Sequence, residues 1–220
     1  LLLCGEHACV YLCAMINEKV EAVIFDLGGV ILNIDYTLTA EAFMKLGLTN
    51  FDEVYSQLCQ TELFDRFETG EISTFHFINR VLDQLPRGCN GNQVVHAWNS
   101  MILDFPQERL DFLDGLKENY RIFLLSNTND IHMEMVRRSL EKTTGHNRLE
   151  DYFEHVYLSC EMGLRKPDPE IFLRVCREQG LDPSKTLFID DSPQHVEGAK
   201  AAGLQAHYLE KGTEIQSLFS

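Results

Sequence analysis

The sequence predicts an α/β fold, a doubly wound, mostly parallel sheet with a small α-helical cap inserted after the first strand. Short apolar runs recur along the chain, at Val23 to Phe25, Ile122 to Leu125, Val156 to Leu158 and Leu187 to Ile189, with a fifth at Gln205 to Tyr208. Most of them stop at polar or acidic residues and are separated by segments of helical period, the pattern of buried parallel strands joined by crossover helices. Between Asp35 and Pro106 the strand signals vanish and only helical patterns remain.

The first strand opens "VIFDLGGVILNID", residues 23 to 35, in which Asp26 stands where the apolar run stops and a glycine pair, Gly28 and Gly29, follows. The insertion comes next, as "TLTAEAFMKLGL", "FDEVYSQLCQTELFDRFETG" and "ISTFHFINRVLDQL", with a break near "PRGCNGNQ". Because it follows the first strand so closely, it emerges above the carboxyl ends of the strands, where open α/β sheets bind ligands, and is placed to act as a lid. The expected division is an extension over 1–19, a core built from 20–35 and 105–220, and a helical cap over 36–104.

The chain has 220 residues, 45% hydrophobic and 24% charged, which suits one soluble domain with an appendage. Nineteen basic residues face 34 acidic ones, for a formal net charge of −15, and no Lys or Arg cluster makes a basic face. Nucleic-acid partners are therefore not expected. The seven cysteines are scattered without a C-x-x-C pair, which speaks against a disulfide framework or zinc ribbon and fits a reducing cytoplasm. The apolar start "LLLCGEHACVYLCAM" is too short to span a bilayer and lacks a basic leader, so no membrane association is expected. Residues 1–14 read as a mis-started stretch upstream of Met15 that contributes nothing to function. The alternatives for this stretch are a cropped signal peptide or a metal site from Cys4, His7, Cys9 and Cys13.

Four strand ends carry chemistry-bearing side chains: Asp26; Ser126 and Asn127 in "IFLLSNTND"; Lys166 in "GLRKPDPEIF"; Asp190 and Asp191 in "TLFIDDSPQHVEGAK". A parallel sheet brings these segments to one rim, gathering three carboxylates, a hydroxyl and an ammonium. Clustered carboxylates repel one another unless a positive charge joins them, and Mg²⁺, which binds carboxylate and carbonyl oxygens and recruits substrate phosphate, is the natural neutraliser. Taken singly, Ser126 and Asn127 read as a turn, Lys166 as a solvated loop lysine, and one of Asp190 and Asp191 as a cap for the helix starting near Pro193.

The ordered set resembles the haloacid dehalogenase superfamily over residues 20 to about 210, in particular the members with a helical cap after the first motif. "FDLGGVILNIDY", "LLSNTN", "LRKPDPEIF" and "FIDDSPQHVEGA" are more narrowly similar to bacterial sugar-phosphate phosphatases of the α-D-glucose-1-phosphatase type. The resemblance implies a Rossmann-like core and a Mg²⁺-dependent phosphatase acting on a small phosphorylated metabolite. It casts Asp26 as the nucleophile that forms an aspartyl-phosphate. Ser126, the backbone N–H of Asn127 and Lys166 would bind the phosphoryl oxygens. Asp26, the Gly28 carbonyl and Asp191 would hold Mg²⁺, with Asp190 beside them as an indirect or occasional ligand.

One position departs from the superfamily pattern. Where it usually places a second aspartate, the acid that protonates the leaving oxygen, this chain has Gly28, as the glucose-1-phosphatase-type relatives do. The loss is tolerable for a glycosyl phosphate, whose leaving hydroxyl is comparatively acidic, or is made good by another group. Asp35, His76, His96 and Asn99 are the candidates. Trp98 with Asn99 could line a sugar pocket, although Trp98, Phe64 and Phe67 read better as packing between cap helices. Gly28 also admits a non-catalytic phosphometabolite binder. A haloacid dehalogenase is less compatible, because the acidic pair calls for a cation.

Overall fold

The computed structural model describes residues 20–48, 50–51, 53–55 and 62–219, so the N-terminal extension and the Cys4, His7, Cys9 and Cys13 site lie outside the described residues. Among the described residues, the first strand β1 (Ala22–Phe25) is followed by α1 (Tyr36–Lys45), α2 (Leu63–Glu68), α3 (Thr74–Leu82) and α4 (Gly91–Asn99). The remainder alternates: α5 (Gln107–Leu116), β2 (Arg121–Ser126), α6 (Asp130–Thr144), β3 (His155–Leu158), α7 (Ser159–Met162), α8 (Pro169–Gln179), β4 (Thr186–Asp190), α9 (Pro193–Ala201) and β5 (Gln205–Tyr208). No helix among the described residues is long and apolar enough to cross a membrane.

The strands form one parallel sheet in the order β3-β2-β1-β4-β5. The chain winds outward from β1 in one direction and then, from β4, in the other, so the topological switch point lies between β1 and β4. Phe25 pairs with both Leu124 and Ile189, which sets Asp26 level with Asp190 at the carboxyl edge and Ser126 one residue beyond. The Asp26 backbone N–H donates to the Ile189 carbonyl at 2.9 Å and pins that level.

Side-chain alternation along the strands feeds two layers. Val23, Phe25, Leu124 and Ile189 pack with Leu110 and Leu113 of α5 and with Val136 and Leu140 of α6. Ile24, Phe123, Leu125 and Phe188 pack with Ile171, Phe172 and Val175 of α8 and with Ala199 of α9. Burial on both sides explains why the strands read as continuous apolar runs rather than alternating ones. Helices α1 to α4 bury their own cluster, which includes Phe64, Phe67, Phe77, Val94 and Trp98, with Ile131 of α6 as its link to the core. Each begins with a sequence-readable signal where a cap is present: Asp35 accepts from Thr37 N–H, Ser73 from His76 N–H, and Asn90 forms a reciprocal capping box with Gln93.

Two glycines permit close approaches that hold the site loops in place. A Cβ on Gly198 of α9 would overlap the Pro167 carbonyl oxygen, and one on Gly70, whose φ is +71°, would overlap that of Cys160. The first seats the loop carrying Lys166 against α9; the second seats the turn after α2 on α7. Gly198→Ala is therefore expected to force the Lys166–Pro167 segment away from α9 and to cost about 1–3 kcal/mol. A lowered urea midpoint at unchanged m-value checks this, and an unchanged midpoint would show that the loop yields freely.

Candidate active site

At the switch point the carboxyl edge of the sheet holds a fully buried ammonium. Lys166 Nζ donates to Asp26 Oδ1 at 2.6 Å and to Asp190 Oδ2 at 2.7 Å, and lies 5.3 Å from the centroid of the Phe188 ring. Lys166 and Asp190 are both 0% exposed and Asp26 is 8% exposed. Lysine is seldom buried this completely, and here the two carboxylates compensate its lost hydration. The side chain is aimed by its backbone: Asn127 Nδ2 donates to the Lys166 carbonyl at 2.9 Å and Lys166 N–H donates to Asn127 Oδ1 at 2.9 Å. That two-way lock ties the end of β2 to the lysine loop.

The two neighbouring acids after β4 divide in environment. Asp190 accepts from Lys166, from the Ser192 N–H at 2.7 Å and from His195 Nδ1, which is 3.0 Å from both carboxylate oxygens. Burial alone would raise its pKa, but Lys166 and His195 bring it down to about 2, so it remains ionised. Asp191 is partly exposed and lines the cleft, and burial followed by the Asp190 charge raises its carboxyl above the usual range. Burial likewise pushes Asp26 up to about 7 against the pull of Lys166.

One lysine thus serves three carboxylates whose ligand atoms lie within 4.8 Å of one another. Asp26 and Asp191 both rise above their ordinary pKa, first through burial and then through the neighbouring carboxylate charges. An all-oxygen donor set with uncompensated negative charge suits a hard divalent cation. The backbone turn makes room for it: Gly29, at φ +77°, passes so close to Asp191 that a Cβ would collide with that carboxylate. The residues therefore fit Mg²⁺, with Asp26 and Asp191 facing the cleft, Gly28 beside them, and Asp190 committed to Lys166 and His195.

The cleft above these groups has a volume of about 570 Å³. Ser126 and Asn127 line it with Asp26, as do Ile34, Tyr36, Tyr55, Glu68, Met101 and His132. The groups considered as substitutes for the acid missing at Gly28 lie elsewhere. Asp35 is occupied as the α1 cap, accepting from Thr37 N–H at 2.9 Å and Thr37 Oγ1 at 2.6 Å. His76 is exposed on α3, and His96 lines a separate groove on α4. Asn99 accepts from His132 Nδ1 at 2.9 Å instead of reaching the cleft itself. Trp98 stacks on Phe64 at 5.4 Å and on His132 at 5.2 Å, as a packing residue between helices.

Three residues here, His132, His195 and Glu68, and the side-chain role of Asn127 are not individually legible in the sequence. Burial lowers the His132 pKa to about 3, so the ring is neutral. With Nδ1–H spent on Asn99, Nε2 is left as an acceptor at the cleft. His195 orients Asp190, and the Asn127 side chain, rather than its backbone alone, positions Lys166. Glu68 reaches the cleft from the end of α2, where its carboxylate faces Arg165, the residue before Lys166. The only legible signals were the polar turn "FETGEIS" for Glu68 and the helix start "DDSPQH" for His195.

A profile of the haloacid dehalogenase-like hydrolases matches residues 20–203. A D-ribitol-5-phosphate phosphatase of Bacteroides thetaiotaomicron is 33% identical over 195 residues, covering 89% of this chain and 94% of the relative. A crystal structure of a HAD family enzyme from the same organism, in complex with magnesium and inorganic phosphate, is 37% identical with a TM-score of 0.84, covering 91% of this chain and 100% of that one. A predicted HAD-like family hydrolase from Porphyromonas gingivalis is 30% identical with a TM-score of 0.81, covering 91% and 97%.

Two outcomes are expected from the electrostatics. Lys166→Met leaves two buried carboxylates without their ammonium and should destabilise the fold by about 3–5 kcal/mol, read from urea denaturation at neutral pH. His132, depressed from 6.5 to about 3, binds its proton in the unfolded chain first, so it draws stability down as pH falls through that window. The slope is at most about 1.4 kcal/mol per pH unit. The stability difference between the parent and His132→Gln should accordingly shrink from pH 6.5 to pH 4; a constant difference would mean that the imidazole is not held neutral.

Proposed function

Since the chain belongs to the haloacid dehalogenase-like hydrolase family and is a phosphatase, we propose that it is Mg²⁺-dependent and transfers the phosphoryl group of a small sugar or sugar-alcohol phosphate to Asp26 and then to water. The observation that carries this is the Lys166 ammonium bridging Asp26 and Asp190, with Asp191 in reach of the same point. An anionic carboxylate attacks an anionic phosphate only where positive charge is fixed in advance.

In this scheme Lys166, through Asp26 Oδ1, sets the direction of the nucleophile and faces the charge that builds on the transferring group. Ser126 Oγ and the Asn127 N–H hold phosphoryl oxygens, from the strand end next to Asp26. Asp26, Asp191 and the Gly28 carbonyl would hold Mg²⁺, with Asp190 behind them, and the ion supplies charge neutralisation for the phosphoryl oxygens. Asp190 keeps Lys166 protonated and in place, and His195 keeps Asp190 in place. Residues 36–104 serve as a cap that closes over the leaving group and excludes water from it.

Substrate class is supported by the cleft lining. Apolar Ile34 and Met101 line it together with Tyr36, Tyr55 and His132, a mixture that suits a short polyhydroxylated chain. The D-ribitol-5-phosphate phosphatase points the same way, towards a primary phosphate on a polyol. We place the enzyme in the cytoplasm, in keeping with the free thiols of Cys89, Cys160 and Cys176.

Phosphate release from a panel of sugar and sugar-alcohol phosphates should require Mg²⁺, vanish in EDTA and drop to background in Asp26→Asn. Ser126→Ala should lower kcat about 10²- to 10³-fold. A wild type no faster than Asp26→Asn across the whole panel would leave a phosphometabolite binder in place of an enzyme.

A further inference from the structure

A polyol alkoxide is a poor leaving group, so the enzyme needs a proton donor, and Gly28 removes the one expected next to the nucleophile. Glu68 is the remaining carboxyl of the cleft. It ends α2, lines the same cleft as Asp26 and Lys166, and its Oε2 atom is buried, held by an ion pair rather than by a well-aligned hydrogen bond. Arg165 Nη2 lies 3.1 Å from that oxygen, while Nη1 of the same guanidinium pairs with Asp65 one turn earlier on α2. Phe64 and Phe67 anchor the helix in its own cluster, and the turn at Gly70 is seated against the Cys160 carbonyl, so Glu68 is carried on a fixed element.

From this geometry we infer that Glu68 is the general acid–base that replaces the aspartate absent at Gly28, donated to the site from the helical insertion rather than from the nucleophile's own loop. Such a role presupposes the phosphatase chemistry above. As Asp26 attacks phosphorus, the bond from phosphorus to the substrate oxygen breaks; its electron pair stays on that oxygen, which takes the Glu68 proton and leaves as the alcohol. Water then attacks the aspartyl-phosphate, Glu68 carboxylate accepts its proton, the phosphorus–Asp26 oxygen bond breaks, and inorganic phosphate leaves with both residues restored.

The surroundings suit a group that must both give and take a proton. Burial pushes the Glu68 carboxyl up to about 7 and Lys166 pulls it down. The Arg165 guanidinium stands beside it and is shared with Asp65 on the same helix. Tyr36, across the cleft mouth, contributes only a neutral hydroxyl near pH 7.

Leaving-group dependence tests the assignment. Glu68→Gln keeps the size of the side chain and removes its acid. It should lower kcat/KM, which reports the steps up to release of the alcohol, about 10²- to 10⁴-fold for alkyl phosphates such as ribitol 5-phosphate, yet leave kcat/KM for p-nitrophenyl phosphate, whose phenolate departs unaided, within about threefold; kcat falls for both, because both pass through the same aspartyl-phosphate. Adding Gly28→Asp to Glu68→Gln should restore alkyl phosphate turnover, because a Cβ at position 28 meets only the Ile34 side chain, whose nearest atom, the terminal Cδ1 at 3.1 Å, can give way. Equal losses of kcat/KM for both substrate classes, or no loss for either, would overturn the role and reduce Glu68 to a partner of Arg165. A wild type inactive on every phosphate would instead sink the phosphatase proposal itself, and the two failures are thereby told apart.

Discussion

The site depends on one shared ammonium. Lys166 is wholly buried, and what makes its burial tolerable is that Asp26 and Asp190 stand level on adjacent parallel strands, so a single Nζ meets both. Removing two charges from water is expensive, and the interaction holds because further donors satisfy the remaining lone pairs: Ser192 N–H and His195 at Asp190. The sheet register, the Asn127 lock and the close seat at Gly198 all serve to keep that nitrogen where the two strands end. Stability and chemistry therefore draw on the same atoms, and the negative charge left over at Asp26 and Asp191 is what makes the site receptive to a cation.

The division of labour between Asp190 and Asp191 shows how a strand end handles two consecutive acids. Successive side chains on a strand point to opposite faces, and Asp190 is still in the sheet while Asp191 lies past its end. The first is therefore drawn inward to the lysine, and the second is released into the cleft, where Gly29 passes beside it. The same short segment then starts α9, with Pro193 at the first turn, so one tetrapeptide ends a strand, flanks a cation site and begins a helix.

Much of this was legible in the sequence because it is local or repeated. The predicted runs matched β1 to β5 to within a residue or two; in β1, β2 and β4, burial on both faces leaves no polar alternation to blur them, whereas the edge strand β5 is half-exposed. Asp26, Ser126, Lys166 and Asp190 stood out because each directly follows or closes such a run or its loop. What stayed hidden depends on partners far away in sequence. His132 gave no sign of lining the cleft, since its tautomer is set by Asn99, 33 residues earlier, and its burial by Trp98. Asp35 looked like a group able to fold back, but the hydroxyl and N–H of Thr37, two residues on, compete for it more cheaply than the cleft does. Glu68 was invisible as an individual because only the packing of Phe64 and Phe67 fixes which face of a short helix points inward.

Arg165 and Lys166 are consecutive, yet their side chains serve different bodies of the molecule, one gripping Asp65 and Glu68 on α2 and the other lodged among the strand-end carboxylates. A dipeptide so divided ties the two bodies through a single peptide link: any outward shift of α2 would pull on the backbone that carries the buried ammonium, so the seating of the helix and the placement of that charge are linked.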